Sequence, residues 1–169
     1  MTIDVNLNKS SPSNFELVFP KIPTETTIQA SDEFTLNIFG TIIPGLNIDS
    51  TEYRWQFAKT IQASGNISFE PWSVNFIVDS QLLNWKLLYK WITYINNNKD
   101  SFDGIHKNYV VDATLRIIDN FRNEILRILF VDIWPQTLGE IAFSHREGET
   151  VLECMASFAY DRFELIEEE

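Results

Sequence analysis

Through most of this chain apolar and polar residues alternate with a period of two, the mark of half-buried β-strands. Phe15, Leu17 and Phe19 oppose Asn14 and Glu16, and Pro20 and Pro23 end that strand. After a polar connection over 20–32, Phe34, Leu36 and Ile38 oppose Thr35 and Asn37. The clearest run is Trp72, Val74, Phe76 and Val78 inside with Ser73, Asn75 and Ile77 outside. Pro71 stands at its start, where proline is tolerated. Tyr109, Val111, Ala113, Leu115 and Ile117 share a face against Asp112, Thr114 and Arg116. Residues 150–163 read as one last long strand, with Leu152, Cys154, Ala156, Phe158 and Tyr160 on its inner face.

Three stretches depart from simple alternation. Trp85, Leu88, Trp91, Ile92 and Ile95 recur at helical spacing, with Asp79 or Ser80 as cap and Asn96 to Asn98 as terminator. The spacing predicts one helix over about 80–97. Residues 124–133 are apolar on both faces, Ile125, Leu129, Val131 and Ile133 against Leu126, Ile128 and Phe130. Such a strand is covered on both sides. The helix would cover one, and the core or another subunit the other, which makes Leu126, Ile128 and Phe130 candidates for a subunit contact. In 131–143, VDIWPQTLGEIAF, Pro135 cannot donate to a ladder and Gly139 marks a turn. The strand is expected to end there and turn a corner. Trp134, Pro135 and Gly139 are then structural anchors, together with Trp72 of the clearest strand.

Residues 46–66 are expected to form a long projecting hairpin or loop, with Ser64-Gly65-Asn66 as turn chemistry. Tyr53, Trp55 and Phe57 share one of its faces. Aromatics on a projecting segment call for a cover, so these three are candidates for an interface. The other reading, that the segment folds back as an ordinary strand, is equally open. Seven to nine strands and one helix, without repeated crossover helices, make a mainly β antiparallel two-sheet sandwich or barrel flanked by a helix. A single domain over 14–163 would carry a mobile polar arm at 1–13 and an acidic tail at 164–169.

Composition narrows the function. A net charge of −11 argues against a protein that grips phosphates, which takes Lys and Arg. The single cysteine, Cys154, forbids an internal disulfide and suits a reducing compartment. An N-terminus without an apolar leader run, and no stretch near 20 apolar residues, lead to the expectation of a soluble protein made in the cytosol. No phosphate loop, nucleophile elbow, HExxH or paired CxxC occurs. His106 and His145 fall in expected loops without ligand partners at metal spacing. Cys154 sits among apolar neighbours and reads as buried and inert. A carboxylate pair from Glu70 and Glu140 has nothing to fix its separation. No catalytic residue, cofactor or metal is expected, and assembly is favoured over catalysis. From another class, a small acidic hydrolase or a carbohydrate-binding sandwich would use the aromatic segment Tyr53–Phe57.

Several segments carry a resemblance. Ile133-Trp134-Pro135-Gln136-Thr137-Leu138-Gly139-Glu140-Ile141 resembles the Trp-Pro…Gly-Glu-Leu segment of the tail tube proteins of contractile-tailed bacteriophages. Phe69-Glu70-Pro71-Trp72-Ser73-Val74 is similar to that family's Phe-acidic-x-Trp-Thr-Val strand, which also precedes a single helix. Phe15-Glu16-Leu17, the run from Phe34 to Gly45, and Phe158-Ala159-Tyr160-Asp161 resemble its first, second and closing strands. The resemblance spans about residues 14–163. It implies hexameric rings that stack into a tube, with 46–66 reaching the next ring and a sheath outside. Tape-measure protein and then DNA occupy the lumen, and baseplate and terminator proteins close the ends. An acidic wall would let DNA pass without adhesion. The implied location is the virion tail, assembled in the host cytoplasm without membrane insertion. Baseplate tube initiators, tail terminators and the tubes of bacterial injection or secretion systems share the fold and stand as alternatives.

Overall fold

The computed structural model describes residues 14–19, 37–55, 58–98, 109–144 and 151–166. The strands are β1 (Phe15–Val18), β2 (Ile38–Thr41), β3 (Leu46–Trp55), β4 (Ala58–Phe69) and β5 (Trp72–Ile77). Helix α1 (Leu83–Asn97) follows, then β6 (Val111–Ile118), β7 (Glu124–Leu138), β8 (Glu153–Ala159) and β9 (Arg162–Ile166). All pairings are antiparallel. Among the described residues seven strands make one sheet, six of them in the order β1-β6-β7-β8-β5-β2 and β9 attached to β7, while β3 and β4 pair only with each other. The expectation of a mainly β, antiparallel fold with one helix holds among the described residues. The arm at 1–13, Phe34 to Leu36, His106 and His145 lie outside them.

β7 organises the molecule. Its first part pairs β6 on one side and β9 on the other, and its last part pairs β8. One strand therefore belongs to both layers, and the two layers face each other across one core. Trp72 of β5 stacks on Phe130 of β7 across that core, centroids 4.2 Å apart and planes at 10°. Phe158, Phe19 and the α1 residues Leu87, Leu88 and Trp91 complete it.

The expected end of a strand near Trp134 is corrected: β7 runs on to Leu138. The corner is real but lies at Asp132, inside the strand. Asp132 takes φ 54°, a left-handed conformation that asparagine and aspartate tolerate better than most residues. There the register with β6 slips between Val111 and Ala113, so two residues of β7 oppose one of β6. This β-bulge bends the strand. Its spare N–H, on Asp132, donates to Asp112 Oδ1 at 3.0 Å.

The bulge also resets the parity of the strand. Ile128 and Phe130 point inward before it, and Ile133 and Pro135 point inward after it. That is why Ile133 reads as opposite to Ile128 and Phe130 although all three are buried; Ile125, Leu129 and Val131, before the bulge, lie on the other face, Ile125 exposed and the other two half-buried. The proposed subunit contact through Ile128 and Phe130 is overturned, because both are fully buried in their own core. Leu126 is partly buried against the same core.

Two more boundaries move. The last long strand is two strands, split at Tyr160-Asp161, where the chain crosses from β8 to pair with β7; the Asp161 N–H donates to Val131 O at 3.0 Å. Glu164 to Ile166, expected in the acidic tail, lie in β9 opposite Leu129 to Arg127. The helix begins at Leu83, not at 80, because Leu82 is left-handed at φ 55°.

Asp79 still caps that helix from a distance. Its carboxylate accepts the backbone N–H groups of Leu83 and Asn84 at 2.8 and 3.1 Å. Burial alone raises this carboxyl, but those bonds, with Gln81 and Leu82, hold it below its ordinary value. A depressed carboxylate stabilises the fold above its unfolded pKa, about 3.9, and loses that contribution as pH falls through the lower folded value. Asp79→Ala is therefore expected to cost about 1 kcal/mol at neutral pH. Urea unfolding at pH 7 and in acid should show the gap between wild type and mutant closing below the wild-type pKa.

Candidate assembly interface

The β3–β4 hairpin is the most exposed element of the described structure. Its strands pair from Leu46↔Phe69 at the base to Trp55↔Ala58 at the tip. Ser64, Gly65 and Asn66 do not form its turn, as the sequence suggested. They bulge within β4 opposite Asp49, where the register slips. Gly65 takes φ 83° and Ser64 Oγ donates to Asp49 O at 2.8 Å.

β3 alternates cleanly, and its two faces differ. Leu46, Ile48, Ser50, Glu52 and Arg54 share one side with their partners Phe69, Ile67, Ala63, Ile61 and Lys59. The base of this side is apolar. Phe69 is tied to the body, its ring 5.8 Å from Tyr160 and 5.6 Å from Phe163. Further out, Ile48 and its cross-strand partner Ile67 are 60% and 56% exposed. Toward the tip the same side turns polar, with Lys59 Nζ on Glu52 Oε1 at 2.5 Å. That exposed pair contributes little stability.

Of the three aromatics singled out from the sequence, Tyr53 is exposed. The strand places Trp55 at the tip, while Phe57 lies outside the described residues. Sequence reasoning overlooked Leu46, Ile48, Ile61 and Ile67. The alternation Leu46/Ile48 on one strand and Ile67/Phe69 on the other is the signal that would have found them.

The corner stretch is structural. Trp72 is fully buried, and its Nε1 donates to Thr41 Oγ1 at 2.8 Å. Trp134 is only partly buried against the core. Pro135 is tolerated because, among the described residues, this part of β7 has a partner on one side only, and the register slips between Pro135 and Thr137. Gly139 is required by close approach, not by a turn: its N–H donates to Met155 O at 2.7 Å, and a Cβ would lie 2.8 Å from that oxygen.

Charge on the face of β1, β6 and β7 is arranged as a ladder. Arg116 bonds Glu16 at 2.7 Å and Glu124 at 2.6 Å, and Arg127 bonds the same Glu124 at 2.6 Å. Hydrogen bonds from Arg127 and Arg116 hold Glu124 below its ordinary pKa. Asp119 takes the N–H groups of Asn123 and Phe121 in the β6–β7 turn. Burial, and then Glu70, push the Tyr160 hydroxyl up to about 12, and it donates to Glu70 O at 2.8 Å. Burial likewise raises the Cys154 thiol, which suits an inert residue. Glu70 Oε1 accepts from Asn47 Nδ2 at 3.3 Å at the base of the hairpin, while Glu140 follows β7 beside Glu153 and Met155 of β8. Among the described residues no group of three His, Cys, Asp or Glu is placed to hold a metal, and no helix is long and apolar enough to cross a membrane.

The described residues offer exposed apolar surface for association. Comparisons with known proteins bear on the role of that surface. A family model described as "Phage tail tube protein" matches residues 10–166. The tail tube terminator protein of Enterobacteria phage T4 is 29% identical over 163 residues, covering 94% of this chain and 89% of that protein. Among solved structures, a chain of the sheath–tube complex of an extracellular contractile injection system, in its extended state, superposes with a TM-score of 0.63. It is 11% identical and covers 98% of this chain and 99% of its own. A chain of the sheath/tube terminator of that kind of system gives 0.62 at 12% identity, covering 91% and 94%.

Proposed function

Because the chain belongs to the phage tail tube protein family, a family of structural proteins and not of enzymes, we propose that it is the terminator of a phage tail tube. It forms one ring that binds the last ring of the tube and stops further stacking. The observation that carries this reading is the likeness to a tail tube terminator over 94% of this chain. The ring is hexameric, its lumen continues that of the tube, and DNA follows the tape-measure protein through it. Sheath and baseplate are partners of the same tail.

Acidic composition suits passage, because a negative wall gives phosphates nothing to hold. The apolar base of the β3–β4 hairpin suits attachment, since exposed apolar side chains at Ile48 and Ile67 gain by being covered. The second reading is a tube subunit that stacks without limit, and the family description favours it.

Negative-stain microscopy separates the two. Purified protein is expected as single sixfold rings, and as one cap at the end of each tube when mixed with tube protein. Long tubes from this protein alone would replace the terminator reading with the second one, and a persistent monomer at high concentration would remove both.

A further inference from the structure

We propose that the outward face of helix α1 in one subunit seats on the outer face of the β2–β5–β8 layer of the next, so that a ring closes through one repeated helix-to-groove contact. This contact rests on the ring reading, because it needs a neighbouring subunit.

Helix α1 turns Asn84, Leu87, Leu88 and Trp91 toward the core. Lys86, Tyr89 and Lys90 stand on the opposite side and are exposed. Tyr89 stacks on Trp85, ring centroids 5.5 Å apart and planes at 10°, with its own side chain about half open to solvent. Trp85 Nε1 is buried without a hydrogen-bond partner among the described residues, so this patch is incomplete in a single subunit.

The charge of that face is unusual for this chain. α1 holds two lysines and no carboxylate, although the chain carries 24 Asp and Glu. Lys59, Arg116, Arg127 and Arg162 are paired with carboxylates of their own subunit. Lys86 and Lys90 have no carboxylate partner among the described residues, and Lys86 Nζ reaches only Gln81 O at 2.9 Å. One turn apart, they set two positive charges beside an aromatic surface.

The groove on the β2–β5–β8 layer has the complementary character. Its volume is about 420 Å³, and Phe39 of β2, Asn75 of β5 and Met155 of β8 line it. Phe39 and Met155 are about half exposed and supply an apolar floor. Glu140 and Glu153 line it too; both are exposed and neither has an ion-pair partner among the described residues. The bond from Gly139 N–H to Met155 O, 2.7 Å, fixes this end of the groove. An aromatic side chain such as Tyr89 fits the floor, and Lys86 and Lys90 match the two carboxylates.

The match is made between subunits. Within one subunit neither lysine bonds either carboxylate, and all four charges stay exposed. Two α1 faces cannot serve each other, because lysines would then meet lysines. The contact is therefore head to tail, each subunit giving its helix to one neighbour and its groove to the other, and such a contact makes a ring when the rotation closes. Covering Tyr89, Phe39 and Met155 supplies the attraction, and the charges fix the register.

The test reverses the charges on each side. Lys86→Glu with Lys90→Glu, and separately Glu140→Lys with Glu153→Lys, are made in the full chain and followed by sedimentation velocity, alone and in an equimolar mixture. Each variant alone is expected to associate at least tenfold more weakly than wild type. The mixture should recover rings, because in an alternating ring every reversed helix meets a reversed groove. A disulfide trap, Tyr89→Cys with Met155→Cys in a Cys154→Ser background, checks the same contact without altering charge. It should give a ladder of joined subunits on a non-reducing gel, absent from either single cysteine variant. Wild-type rings together with no ladder, or with reversed variants that assemble alone as well as wild type, would overturn the helix-to-groove contact and leave the terminator reading standing. A wild-type protein that forms no ring under any condition overturns both.

Discussion

Replacing Trp72 with alanine is expected to lower stability by about 3–5 kcal/mol, the range for a fully buried tryptophan. Its ring has no exposure, stacks on Phe130 at 4.2 Å and lies 5.7 Å from Phe158. Its Nε1 holds Thr41, so truncation leaves a half-buried hydroxyl short of a donor as well as a cavity. Trp134→Ala should cost about half as much, because that side chain is only partly buried. Guanidinium unfolding of the two mutants gives the comparison. An equal or larger loss at Trp134 would show that the corner of β7, and not the stack between the layers, is the main support of the core.

That ranking reverses the one suggested by sequence, where Trp134 beside Pro135 looks like the fixed point. Period-two alternation made β1, β5 and β6 legible, because each keeps one parity from end to end. β7 was hidden because a single left-handed residue, Asp132, flips its parity halfway along. A bulge of this kind leaves no mark in composition, and aspartate here looks like any outward polar residue. Its partner Asp112 is equally disguised: it reads as solvent-facing, yet it accepts the spare N–H of the bulge. The split at Tyr160-Asp161 left a fainter mark: Asp161 and Arg162 are both exposed between Tyr160 and Phe163, which pack on the core, so the alternation shifts where the backbone changes partner. Resemblance placed the chain in its family because it depends on the order of many weak motifs, and a local parity error disturbs only one of them.

The acidic residues have a second role that charge counting misses. Asp79, Asp112 and Asp119 each accept backbone N–H groups at a helix start, a bulge or a turn, and Glu124 joins two arginines. Negative charge therefore serves the monomer fold first. Arg116, Arg127 and Arg162 are each matched by carboxylates of their own subunit, and the net charge of −11 is what remains after every Lys and Arg is counted.

The substitution with the largest effect on assembly is expected at the base of the hairpin. Ile48 and Ile67 are cross-strand partners, both more than half exposed, on the side continuous with Phe69. Burying each against a neighbouring subunit is worth about 1.5–3 kcal/mol. Ile48→Asp with Ile67→Asp should therefore weaken attachment to tube ends on the order of 100-fold or more. The melting temperature of the monomer should stay within a degree or two, since neither side chain belongs to the core. Tyr53→Ser, nearer the tip, where Glu52 and Lys59 already satisfy each other, should change attachment by less than tenfold. Capping of labelled tubes by the two mutants, titrated by microscopy, measures the difference. If Tyr53→Ser proves the more damaging, the contact lies at the aromatic tip and the apolar base is covered within the subunit's own ring. If neither matters, the hairpin is not the attachment surface, and the edge strands β1 and β2 become the place to look.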